Sequence, residues 1–132
     1  MGKYSEKHSK NRSFWVSLGQ AWRGILYSFK TQKHFQFHIF AGSIVIISAW
    51  LTQLTRLEWV LLVIAIGCVL AAEVINTAIE LVVDLVQPNY HPIAGMAKDV
   101  AAGAVLIAAI QAVVIGLLIF GPPLMRWIMK GV

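Results

Sequence analysis

From Phe35 to Phe120 the chain contains three long apolar runs and only two short polar breaks. The first run, Phe35 to Leu51, has about 17 residues, the short end of what an α-helix needs to cross a hydrocarbon core of about 30 Å. The second begins at Trp59 with WVLLVIAIGCVLAA, and the third extends from Ile93 to Phe120. The breaks are TQLTRLE (52–58) and QPNYHP (87–92), the latter carrying two prolines that stop a helix. Runs of this length and spacing predict an all-α membrane protein with three transmembrane helices. Composition agrees: 58% of residues are hydrophobic and 13% charged, whereas soluble domains are nearer half and about a quarter.

The net charge of +5 does not point to nucleic acid. Seven of the eleven Lys and Arg lie in the first 33 residues, opposed there by Glu6 alone. A basic flank beside a first span sets orientation and attracts anionic lipid. It predicts a cytoplasmic N-terminus, with the 87–92 turn on the same side. Residues 1–12 read as a flexible basic segment. Residues 13–34 read as an amphipathic helix in the membrane interface: Phe14, Leu18, Trp22, Ile25 and Phe29 fall in a stripe about 80° wide. Ser17, Gln20, Arg23, Tyr27 and Lys30 fall opposite. A soluble amphipathic helix docked on a partner is the plainer alternative. Residues 35–120 form the three-helix domain, GPP at 121–123 ends the third span, and 121–132 is a short tail with Arg126, Trp127 and Lys130 at the far interface. No apolar stretch near the start suits a signal peptide. Cys68 is the single cysteine, so no intrachain disulfide is possible.

The second span is apolar only in its first half. Its second half, EVINTAIELVVD (73–84), carries Glu73, Asn76, Glu80 and Asp84. At 100° per residue these make one stripe about 80° wide and about 16 Å long, bordered by Thr77. Charge facing lipid costs at least a few kcal/mol, so the stripe must face protein or water. Lys98 and Asp99, across the short turn, reach the same depth. Three readings fit: carboxylates paired with Lys98, Arg23 or backbone to hold helices together; a proton or cation pathway; or a metal–phosphate site in which carboxylates hold Mg²⁺ and Lys98 neutralises phosphate. Ala97, Ala101, Ala104 and Ala108 form a small-residue seam suited to close helix approach. Three spans shield this much charge poorly, which favours a homo-oligomer. Gly19–Gly24 has P-loop glycine spacing, but Ile25 and Leu26 stand where Lys and Ser/Thr are needed.

EVINTAIELVVD, followed by YHPIAGMAKDVAAGAVLIAAI (90–110), closely resembles the small bacterial membrane diacylglycerol kinase family, which includes the undecaprenol kinases. The resemblance covers roughly residues 13 to 120, with Gly19, Ala21, Trp22 and Gly24 matching more loosely. It implies a homotrimer of protomers, each with a surface helix and three spans, and active sites shared between neighbours at the cytoplasmic face of the bacterial inner membrane. It implies transfer of the ATP γ-phosphate to a lipid hydroxyl, undecaprenol or diacylglycerol, with Mg²⁺. Carried over by motif, Glu73 is the general base, Glu80 binds Mg²⁺, Asn76 orients phosphate or metal, Lys98 contacts phosphates, and Asp99 positions Lys98 or nucleotide. Asp84 reads as structural. The segment around PNYHPIAGMAKDVAAGAV looks more like the undecaprenol kinases.

One segment departs from the family. Where its members carry a pattern like E-x-N-x-R-x-H, this chain has QKHFQFH (32–38). Gln32 replaces a metal-binding Glu, His34 replaces Asn and Gln36 replaces Arg; His38 matches. Gln32 keeps an oxygen but loses a charge, so a weaker metal site is expected. His34 and His38, at i and i+4, have spacing that suits a softer metal, although two interfacial histidines that bind nothing are commoner. The alternatives are a catalytically weakened member that binds nucleotide or lipid, and a small proton or cation transporter.

Overall fold

A computed structural model describes residues 14–130 as four helices: α1 (Phe14–Thr31), α2 (Lys33–Leu51), α3 (Arg56–Val86) and α4 (Pro92–Lys130). Among the described residues, α2, α3 and α4 are long and apolar enough to cross a membrane. The central helix is α3, which is more buried than α2 or α4. Its most extensive contact is with α4, and both α1 and α2 also lie against it.

Each junction has a local cause. α1 and α2 meet at Gln32, whose backbone is extended (φ −107°, ψ 111°). Its N–H still donates to the Ser28 carbonyl at 2.9 Å and its carbonyl accepts from Gln36 at 3.2 Å, so the chain turns with little loss of backbone pairing. The break therefore comes before Lys33 rather than after His34, because polar residues continue a helix wherever their side chains reach water. α3 opens with a capping box: Thr55 accepts from the Glu58 N–H, and Glu58 accepts from the Thr55 N–H at 2.8 Å. α4 opens with Pro92 at its first position, where a missing N–H costs nothing, and His91 Nδ1 accepts from the Ile93 N–H at 3.2 Å.

At the end of the bundle away from the acidic stripe, Ala49, Leu62 and Ile119 form a small core joining α2, α3 and α4. Gly42 allows α2 to approach α3: a Cβ there would lie 3.3 Å from Ile66 Cγ2. Of the alanine seam on α4, Ala101 is buried within the chain while Ala104 is exposed. The apolar residues of α1, including Trp22 and Phe29, are exposed, and Ser28 is the buried one.

The end of the third span also differs from the sequence reading. α4 does not stop at Gly121 but continues through Pro122 and Pro123 to Lys130. Its 39 residues make it roughly 58 Å long at the α-helical rise. Proline is tolerated in such helices where other groups meet the freed carbonyls, and two prolines in succession merge their disruption into a single turn.

Candidate functional site

The acidic stripe of α3 runs from the interior to the surface. Glu73 is 4% exposed, Asn76 9% and Thr77 1%; Glu80 is half-buried and Asp84 exposed. Thr77 meets its own hydrogen-bonding need by donating to the Glu73 carbonyl at 2.9 Å, one turn back. Glu80 is gripped from two sides. Asn76 Nδ2 donates to its Oε1 at 2.9 Å, and Gln32 Nε2 donates to its Oε2 at 3.1 Å. Gln32 can do this because it occupies the bend between α1 and α2, which points it at α3. Asn76 Oδ1 is buried and has no hydrogen-bond partner among the described residues.

Glu73 meets α2 instead, with His38 Nε2 standing 3.3 Å from its Oε1. His34, by contrast, is exposed. Lys98 reaches across the turn to Asp84, one turn beyond Glu80, with Nζ 2.5 Å from Oδ1. Asp99 beside it is exposed. The candidate residues thus fall into three linked sets: Gln32, Asn76 and Glu80; Glu73 with His38; and Lys98 with Asp84. The contact between His38 and Glu73 is one the sequence did not reveal. Its signals were that His38 matches the family pattern and that it lies on a face otherwise made of Phe35, Gly42 and Ala49.

Among the described residues no group of three or more His, Cys, Asp or Glu is arranged to enclose a metal ion. What the stripe offers is hard oxygens: the Glu80 carboxylate, held by two amide N–H groups, and the Asn76 carbonyl, unpartnered among the described residues. Such a set suits a small divalent cation that brings most of its ligands with it as water and phosphate oxygens. Beside it, between α1 and α3, lies an apolar cavity of about 230 Å³ lined by Gly24, Tyr27, Ser28, Thr77, Ala78 and Leu81.

Comparison with known proteins identifies the family. Residues 19–120 match the model of the prokaryotic diacylglycerol kinase family. The chain is 42% identical over 124 residues to an undecaprenol kinase of Bacillus subtilis, covering 94% of this chain and 100% of that one. It is 46% identical over 111 residues to a diacylglycerol kinase of Synechocystis, spanning 83% of this chain and 63% of that one. It is 36% identical over 99 residues to a diacylglycerol kinase of Escherichia coli, covering 74% of this chain and 80% of that one. The chain belongs to the prokaryotic diacylglycerol kinase family. It is a membrane lipid kinase, and the transporter reading of the acidic stripe is not favoured.

In this kinase the grip on Glu80 is testable without turnover. Asn76→Asp is isosteric but replaces a donor to the Glu80 carboxylate with a second carboxylate. The loss of a hydrogen bond to a charged group, about 1.5–3 kcal/mol, and the added repulsion should lower the thermal midpoint in detergent by several degrees. A midpoint equal to wild type would mean that Asn76 does not support Glu80.

Proposed function

We propose that this kinase transfers the γ-phosphate of ATP to the hydroxyl of undecaprenol, giving undecaprenyl phosphate, at a site built on the second half of α3. The observation that carries this reading is Glu73, a carboxylate 4% exposed within a helix long and apolar enough to cross a membrane. The nearby apolar cavity includes Thr77, one turn from Glu73. A lipid acceptor needs apolar surface for its chain and a base where its hydroxyl ends. Undecaprenol is favoured by the full-length match to the Bacillus subtilis enzyme. Diacylglycerol, giving phosphatidate, is the second reading, favoured by the higher identity to the Synechocystis protein.

Glu73 is the general base. It takes the proton of the acceptor hydroxyl as that oxygen attacks the γ-phosphorus in line, and ADP departs with the electron pair of the broken P–O bond. Glu80 with Asn76 and, more weakly, Gln32 would hold Mg²⁺, which would neutralise charge on the nucleotide phosphates. Lys98 exchanges its contact with Asp84 for the phosphates when nucleotide arrives, and Asp99 positions Lys98 or the nucleotide. This division of roles follows the charges. Phosphate is drawn to the surface end, where the lysine lies, and the hydroxyl to the buried end.

The site faces the cytoplasm of the bacterial inner membrane. The clustered basic residues before α2 favour that side, and ATP is supplied there. The assembly is a homotrimer with sites shared between protomers. One protomer leaves Asp84 and Asp99 exposed and α4 almost uncovered, so a neighbouring copy has both surface and charge to cover. α1 lies in the interface with its Trp and Phe residues toward lipid.

Two variants test this assignment. Glu73→Gln should reduce turnover by about a hundred-fold or more, the scale of a lost general base, while ATP binding by calorimetry stays near wild type; substantial residual turnover would remove Glu73 from the role. Gln32→Glu should lower the Mg²⁺ concentration for half-maximal rate and enlarge the rise in thermal midpoint on adding Mg²⁺. If both responses match wild type, Gln32 lies outside the metal site.

A further inference from the structure

We propose that His38 is a positioning residue for the catalytic carboxylate: its Nε2–H holds Glu73 Oε1, so that Oε2 is the atom presented to the lipid hydroxyl. The inference rests on the reading of Glu73 as the base and adds a residue for which no role has been given.

Three observations carry it. First, His38 Nε2 is 3.3 Å from Glu73 Oε1, with the two side chains 21% and 5% exposed. Among the described residues, His38 is the polar side chain that meets this carboxylate. Second, the contact is built in by helix packing. Phe35, His38, Gly42, Val45 and Ala49 follow the 3–4 spacing of one helix face. Phe35 and Ala49 are buried, and the other three are half-buried. Gly42 marks the close approach to α3 at Ile66. His38 therefore sits in the seam that joins α2 to α3 and cannot swing away freely. Third, the neighbouring carboxylate has a different arrangement. Both oxygens of Glu80 are held by amides, as suits a group that stays put and binds a cation. Glu73 has His38 at ion-pair distance from one oxygen and, among the described residues, no amide on either, as suits a group that must accept a proton.

The chemistry requires such a partner. A carboxylate in low dielectric is costly unless donors face it, and a base whose carboxyl rotates freely spends most of its time misaligned. A donor on Oε1 fixes the carboxyl plane. In the transfer step the acceptor O–H bond breaks, its proton passes to Glu73 Oε2, and the oxygen forms the new bond to phosphorus. His38 keeps its proton throughout, so it supplies orientation rather than proton transfer.

The test uses His38→Ala and His38→Gln in the full chain, reconstituted in bilayers and assayed beside Glu73→Gln. Glutamine carries its amide nitrogen to about the place of imidazole Nε2, so it retains the donor without the ring. The expected result is that His38→Ala lowers kcat about ten-fold or more. Its KM for ATP and its ATP binding should stay within about two-fold of wild type, the pattern of an interaction that matters in the transition state. His38→Gln should recover most of the lost kcat. Wild-type kcat in His38→Ala would overturn the proposal, as would a His38→Gln protein that is folded and binds ATP but is as slow as the alanine variant. If His38→Ala fails to fold, His38→Gln decides alone: near-wild-type kcat supports the donor role, and a large loss refutes it. Active Glu73→Gln is a separate failure, since it removes the base assignment on which the proposal stands.

Discussion

A carboxylate placed among hydrocarbon is stabilised only by what the protein brings to it, and α3 carries two, Glu73 and Glu80, on a helix suited to crossing a membrane. A charge facing lipid there costs at least a few kcal/mol. Much of the structure around the stripe answers that cost. The bend at Gln32 turns an amide toward Glu80, Asn76 supplies a second amide from one turn away, and the α2 seam delivers His38 to Glu73. α1 closes over the same region, burying Ser28. Take away the carboxylates and none of these polar groups has reason to lie where it does.

The same constraint accounts for how the site is graded. Buried Glu73 and Thr77 give way along α3 to half-buried Glu80 and then to exposed Asp84, paired with Lys98. A lipid hydroxyl and a nucleotide come from different phases, and a site joining them needs a dry end and a wet end on one element. In the proposed reading α3, long and apolar enough to cross a membrane, provides both. The lysine lies at the wet end, paired with Asp84, where the proposed reading has phosphate take its place.

Much of this was legible in the sequence because it is local. Three apolar runs declare three helices, and 73, 76, 80 and 84 declare one face by helical periodicity alone. What was not legible depends on helices meeting. Glu73 and His38 lie 35 positions apart, and no periodicity in either segment indicates that one seam will bring them within 3.3 Å. Lys98 reads from position alone as a partner for the whole stripe, yet the turn delivers it to Asp84. Pro122 and Pro123 read as a stop under rules learned in water, but α4 runs on to Lys130. In a membrane, leaving the helix exposes more backbone than a proline does, so the balance favours continuing.

The measurement that bears most directly on the account is analysis of the lipid product. Purified protein in bilayers is given ATP labelled at the γ-position, Mg²⁺, and either undecaprenol or diacylglycerol, and the lipids are then separated. The account predicts label in undecaprenyl phosphate, formed faster than phosphatidate at matched acceptor concentration. No labelled lipid with either acceptor, from protein shown to be folded and to bind ATP, would contradict it.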